Sequence, residues 1–209
     1  MANASNQAIV PAAPSGLASI WHAHNVVSCR KKVLAIAPTF EIFDVQGTPL
    51  VFCQEKIFTL KEDIRVFADS TKKVELLRIR QRQLVNWSGT LYDVFDAASN
   101  AKIGTFRRKG WRSWNRDEWH VLNTDDQQIG TVMETGNAFL RRLFKFLPYT
   151  FAFNLEGQQV GTFIQHFAFI GYKATMDVTP WQVGALDRRL AFAGALLLMA
   201  VEARADANR

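Results

Sequence analysis

Residues 191–201 read Ala191-Phe192-Ala193-Gly194-Ala195-Leu196-Leu197-Leu198-Met199-Ala200-Val201. Wound as a helix, this run is apolar on every side, and a helix apolar all round must be buried all round, in lipid or in protein. Length separates the two. The run has 11 residues, whereas a bilayer span needs ~20. Arg188 and Arg189 precede it, and Glu202 and Arg204 follow it. The segment Leu186–Arg204 therefore predicts a helix enclosed by protein, with charged ends reaching water and no transmembrane span. Gly194 and the alanines keep it thin, as the interior of a closed sheet requires.

The rest of the chain supplies the wall. Short apolar runs broken by turn residues fill it: Val33–Ala37 before Pro38, Phe40–Val45, then the turn at Gln46–Pro49 and Leu50–Cys53. Ile64–Ala68 and Val74–Gln83 continue the series. In the latter, Leu77 and Ile79 alternate with Arg78, Arg80 and Arg82, a period of two that puts the arginines on one face. Three stretches repeat a strand, a polar turn and a return strand opening on Ile-Gly-Thr or Val-Gly-Thr, with glycines at Gly104, Gly130 and Gly161. Each reads as a hairpin whose glycine marks a bulge or bend. Two further strands are expected near Thr162–Phe169 and Tyr172–Val178. Asn137–Phe146 differs: Phe139, Leu140, Leu143, Phe144 and Leu147 recur at helical spacing among Arg141, Arg142 and Lys145. It predicts a short amphipathic helix ended by Pro148. The fold class expected is mainly β: a closed antiparallel barrel of about twelve strands around the C-terminal helix.

Composition narrows the class. The chain has 209 residues, 48% hydrophobic and 21% charged, with 16 Phe and 6 Trp. This suits a single domain with one large core. Residues 1–28 read as a disordered tail, without the basic and apolar segments of a secretory signal, and 29–209 as the domain. Cys29 and Cys53 are too few for a disulfide scaffold, which points to reduced thiols and a cytoplasmic setting. A formal net charge of +6 and a pI near 9.5 favour an anionic partner.

These residues together carry a resemblance. From about Phe58 to Arg204, the strand Leu77–Arg80, Tyr92–Asp96, Ile103-Gly104 with Arg107–Lys109, Arg116-Asp117 with Trp119, Gln128–Gly130 and the closing helix from Leu186 resemble the tubby C-terminal-like superfamily. The likeness falls in its branch of LURP-one-related proteins and phospholipid scramblases. The resemblance implies a barrel of about twelve strands around a central C-terminal helix. Scramblases carry an acidic calcium segment near the last helix; here Asp177 and Asp187 stand apart, so a scramblase-like activity would lack the calcium site. Tubby proteins bind phosphoinositide head groups through basic residues, none of which is carried over to a position here.

The strongest candidate site is Lys102–Arg116. Arg107, Arg108, Lys109, Arg112 and Arg116 stand without an acid among them, and Trp111 and Trp114 are interleaved. Cations neutralise phosphate and Trp favours a membrane interface; a solvated hairpin tip is the plainer reading. A second candidate is the row Arg78, Arg80 and Arg82, with Lys72 and Lys73 nearby, either an anion-binding stripe or a wet strand face paired with acids such as Glu75 and Asp93. His22, His24 and Cys29 fall short of a four-ligand metal site. Asp125-Asp126 reads as a turn. No nucleophile elbow, phosphate loop or dinucleotide fingerprint occurs, so neither catalysis nor a cofactor is expected. The expected function is a non-enzymatic binding protein at an anionic membrane surface or phosphoinositide. A protein-interaction module with an unknown partner is the alternative, and a small-molecule carrier or a nucleic-acid role ranks below both.

Overall fold

Alternation builds the wall. In the strand Glu75–Gln81, Leu77, Ile79 and Gln81 are buried, while Arg78 and Arg80 face outward, the period-two pattern of a sheet with one wet face. A computed structural model describes residues 19–32, 37–56, 61–82, 89–109, 118–135, 149–166, 172–180 and 187–207, with side chains over 20–201. Twelve strands are present: β1 Val26–Lys31, β2 Thr39–Phe43, β3 Pro49–Glu55, β4 Asp63–Phe67, β5 Glu75–Gln81 and β6 Thr90–Asp96. They continue with β7 Lys102–Arg108, β8 Glu118–Leu122, β9 Gln128–Thr135, β10 Thr150–Leu155, β11 Gln158–His166 and β12 Lys173–Asp177. Each pairs antiparallel with the next, and β1 closes on β12. The result is an up-and-down barrel without a free edge.

Five hairpins share one irregularity. In the pairs β2–β3, β4–β5, β6–β7, β8–β9 and β10–β11 the register slips by one residue near the turn. The residues left without a partner are Leu50, Leu76, Ile103, Ile129 and Val160. All five are apolar, and all are buried or pack against the core. A bulge sharpens local twist, and repeating it at one end curls the sheet shut. The glycines seen in the sequence follow three of these bulges because backbone crosses there. A Cβ at Gly104 would lie 2.8 Å from Leu190 Cδ1 and 2.9 Å from the Leu122 carbonyl, and one at Gly130 would meet the Asn154 carbonyl oxygen and Leu155 Cδ2.

The barrel has two unlike ends. One is closed by tight turns at 44–48, 68–74, 97–101, 123–127 and Glu156-Gly157, the last with both residues at positive φ (49° and 80°). The alternate connections leave from the other end. A helix α1, Ser19–Ala23, sits beside a second helix α2, Arg188–Ala207, with Trp21 edge-on to Phe192 at 5.0 Å. Every residue from Leu190 to Val201 is buried. Gly194 lets the rings of Phe106 and Phe153 come against the helix. The space it shares with Phe106, Trp119, Val132, Leu197 and Leu198 has no room for a water molecule.

The helix start is fastened at the turn end. Asp187 Oδ1 accepts the Arg189 amide at 2.9 Å, an N-cap. Arg189 Nη1 donates to Asp96 Oδ2, the last residue of β6, at 2.5 Å. Arg188, 5% exposed, donates to His24 O and Asn25 Oδ1, each at 2.9 Å, and so ties the chain between α1 and β1 to α2. These contacts correct the expected tail: residues 19–28 belong to the fold, with Val27 inside the core. A six-residue strand whose partners are β2 and β12 gives little local signal. The expected Val33–Ala37 strand falls mostly outside the described residues, as does the amphipathic segment Asn137–Phe146.

The substitution Gly130→Ala is expected to lower stability by about 2 kcal/mol, because the added methyl meets backbone that cannot move aside. Urea unfolding of the variant against the parent checks this.

Candidate functional site

Strand alternation divides the basic run of β7. Gly104 and Phe106 face α2, so Thr105, Arg107 and Lys109 point to the outer wall. Arg108 shares the inward phase and lies over the Trp119 ring at 5.4 Å. Lys109 Nζ is 2.8 Å from Glu118 Oε1, which also meets His120 Nε2 at 3.0 Å. Bonds from Lys109 and then His120 hold the Glu118 carboxyl below its usual range. Arg107 pairs with His120 in the β7–β8 register. Trp111, Arg112, Trp114 and Arg116 lie outside the described residues. The structure thus brings together the strand-borne cations Arg107 and Lys109, and turns Arg108 away from them.

The arginine row on β5 faces outward as its alternation predicts, and it meets carboxylates. Arg78 Nε donates to Glu75 at 2.7 Å, and Arg80 Nε is 3.9 Å from Asp63. Arg82, just past β5, is the centre of a larger network. It donates to Asp93 on β6 through Nε at 2.8 Å and Nη2 at 2.5 Å, and to both Asp126 oxygens at 2.8 and 2.9 Å. Thr105 Oγ1 donates to Asp93 at 2.8 Å, and Lys102 Nζ to Asp126 at 2.6 Å. Lys72, grouped with this row in the sequence, instead donates to Gln54 on β3 at 2.9 Å.

Asp126 is the residue that sequence reasoning missed. Its φ of 61° belongs to a turn, as expected, but its carboxylate reaches back over β7 to a guanidinium 44 positions away. No local signal announces such a pair. Bonds from Arg82 and then Lys102 hold Asp126 far below the ordinary carboxylate range, and bonds to Asp93 and then Asp126 raise Arg82 above its usual range.

Other titratable groups serve the fold. Burial pushes the Cys29 thiol up to about 12, and raises Cys53 as well. Among the described residues no three His, Cys, Asp or Glu side chains converge to hold a metal, and no helix is long and apolar enough to cross a membrane.

The family described as LURP-one-related matches residues 25–179, from the residue before β1 to just past β12. The chain belongs to the LURP-one-related family. That family lies within the tubby-like superfamily, as the sequence resemblance suggested. No curated protein matches the chain. Among solved structures, an X-ray structure of an Arabidopsis thaliana protein aligns with a TM-score of 0.49 and 13% identity, covering 88% of this chain and 92% of that one. The LURP-one-related match spans the whole barrel wall and stops before α2.

Asp126 has a folded-state pKa below its unfolded value, so the stability it contributes is present above the unfolded carboxylate pKa of ~4 and is lost as pH falls below it. Asp126→Asn is expected to lower the urea midpoint at pH 7 and to shrink the gap between variant and parent as pH drops from ~5 toward ~2. Unfolding midpoints across that pH range check the sign.

Proposed function

We propose that this chain is a non-enzymatic binding protein that associates peripherally with anionic phospholipid surfaces, with Arg107, Lys109, Trp111, Arg112, Trp114 and Arg116 as the reader and Arg108, which the strand phase turns inward over Trp119, left out of it. The observation that carries this reading is the charge polarity of the barrel. In an up-and-down barrel the connections alternate between ends. Those at the end opposite the tight turns (32–38, 56–62, 82–89, 109–117, 136–149 and 167–172) hold ten Lys and Arg against two acids, Glu62 and Asp117. The turns at the other end hold five acids against two lysines. A molecule so polarised meets an anionic plane basic end first.

The composition of the basic end supports lipid over a purely electrostatic partner. Trp87, Trp111, Trp114 and the Phe and Leu residues of 139–147 accompany its cations in the sequence. Trp with Lys and Arg is the composition that favours a membrane interface. Asp and Glu are sparse there, so little in the sequence repels a phosphate plane. The row Arg78, Arg80 and Arg82 is a weaker reader, since each is near a carboxylate. A surface polarised in this way binds without chemistry, in keeping with the lack of a catalytic motif in the sequence.

Vesicle co-flotation of the full chain across a salt series tests the reading. Binding to phosphatidylserine vesicles but not to neutral ones, lost as salt rises, is expected. Replacing Arg107, Lys109 and Arg112 together with Gln is expected to weaken it on the order of 10²-fold, at about 1 kcal/mol for each charge near the surface, with the thermal midpoint little changed. Absence of binding at low salt overturns the lipid reading and leaves a barrel that binds protein.

A further inference from the structure

Most outer-wall cations of β4–β7 have found acids. Arg65, Arg78, Arg82, Lys102 and Lys109 each lie within 3.3 Å of a carboxylate oxygen. Arg107 does not: among the described residues it has no ion pair, and its Nε is buried with no hydrogen-bond partner. A guanidinium with an orphaned donor is a site that wants an acceptor, since a buried unmet N–H loses the full free energy of its hydration.

A second orphan lies beside it. His120 stands opposite Arg107 in the β7–β8 register and on the same outer face, and its Nδ1 is likewise buried without a partner. Directly opposed residues hold their Cβ atoms about 5 Å apart, so the two unmet nitrogens belong to neighbouring side chains on one face of the wall. The other ring nitrogen is occupied: Nε2 lies 3.0 Å from Glu118 Oε1, and a carboxylate there can only accept. Glu118 therefore orients the ring, and when both ring nitrogens carry a proton Nδ1–H is a second donor. The carboxylate itself is spent on His120 and Lys109. The row is completed by Leu91 on β6 and Thr131 on β9, both uncharged.

We propose that Arg107 and His120 form a seat for a phosphate monoester on the outer wall of β7 and β8. The seat rests on the lipid reading only for its setting, since it adjoins the strand end from which the basic-aromatic connection leaves. Its chemistry is that of a doubly charged phosphate, which accepts from Arg Nε–H and imidazolium Nδ1–H together. A phosphodiester, singly charged and more hindered, fits it less well. The monoester can come from a lipid head group or from a soluble phosphate.

The test uses the full chain and two probes. Inorganic phosphate is titrated while the Arg107 Nε–H and His120 side-chain resonances are followed by NMR. Saturable shifts of both are expected in the parent, with apparent affinity lowered at least ~10-fold in Arg107→Gln and unchanged in Lys173→Gln, which removes an exposed charge elsewhere. Vesicles containing phosphatidic acid are then compared with vesicles containing phosphatidylserine at equal surface charge. A preference for phosphatidic acid that Arg107→Gln abolishes, with phosphatidylserine binding lowered only by the roughly 5-fold that one surface charge accounts for, assigns the seat to a lipid head group. Phosphate shifts without binding to either vesicle assign it to a soluble monoester, so the seat stands and the lipid reading falls. Resonances of Arg107 and His120 in the parent that phosphate leaves unmoved overturn the seat, whatever the vesicles do.

Discussion

Burial of one helix on all sides organises this protein. Leu190–Val201 offers the wall no polar face, so the sheet must surround it, and only a closed sheet does so without leaving an edge. An α-helix with side chains is about 10–12 Å across, more than the lumen of an eight-stranded barrel leaves after its own side chains fill it. Twelve strands make the room. The alanines and Gly194 take up what remains, and the rings of Phe106 and Phe153 close on the glycine. The same fit leaves no room for a water molecule beside Gly194.

Direction follows from how the helix is held. Its start is fixed at the tight-turn end, where Asp187 caps it, Asp96 receives Arg189 and Arg188 gathers the lead-in of β1. Five bulges at that end bend the wall and supply an apolar collar from Leu50 to Val160. The tight turns with their acids thus lie at the end where the helix is fastened. Strand order decides which turns share an end: alternate connections do, whatever their distance in the chain.

The outer wall shows how pairing and function divide. Arg82, Asp93, Thr105, Lys102 and Asp126 form one satisfied network across β5, β6, β7 and the β8–β9 turn, and groups so satisfied contribute to stability. Further along β7 and on β8, Arg107 and His120 retain unmet nitrogens. Arginines of the same wall are therefore paired at one position and unpaired at another, decided by whether an acid stands within reach.

Much of the fold was legible in the residues. The apolar run at 191–201 required enclosure, alternation in Val74–Gln83 announced a wall with arginines outside, and the recurring glycines marked bulges, because each of these signals is local. Leu50 and Leu76 show the limit: they occupy the same bulge as Ile103 and Ile129 but lack the following glycine, so only pairing reveals them. β1 went unrecognised as a strand because its partners lie on β2 and β12, and closure of a barrel is a property of its two ends meeting. The candidate site was legible in composition and not in geometry. The sequence placed Arg107, Arg108 and Lys109 together, yet strand phase sends Arg108 inward, and register alone puts His120 beside Arg107 and Asp126 beside Arg82. Sequence determines which side chains can face the same way, since that depends on neighbours two or four residues apart. Which charges meet depends on register across strands, and only the closed tertiary structure sets that.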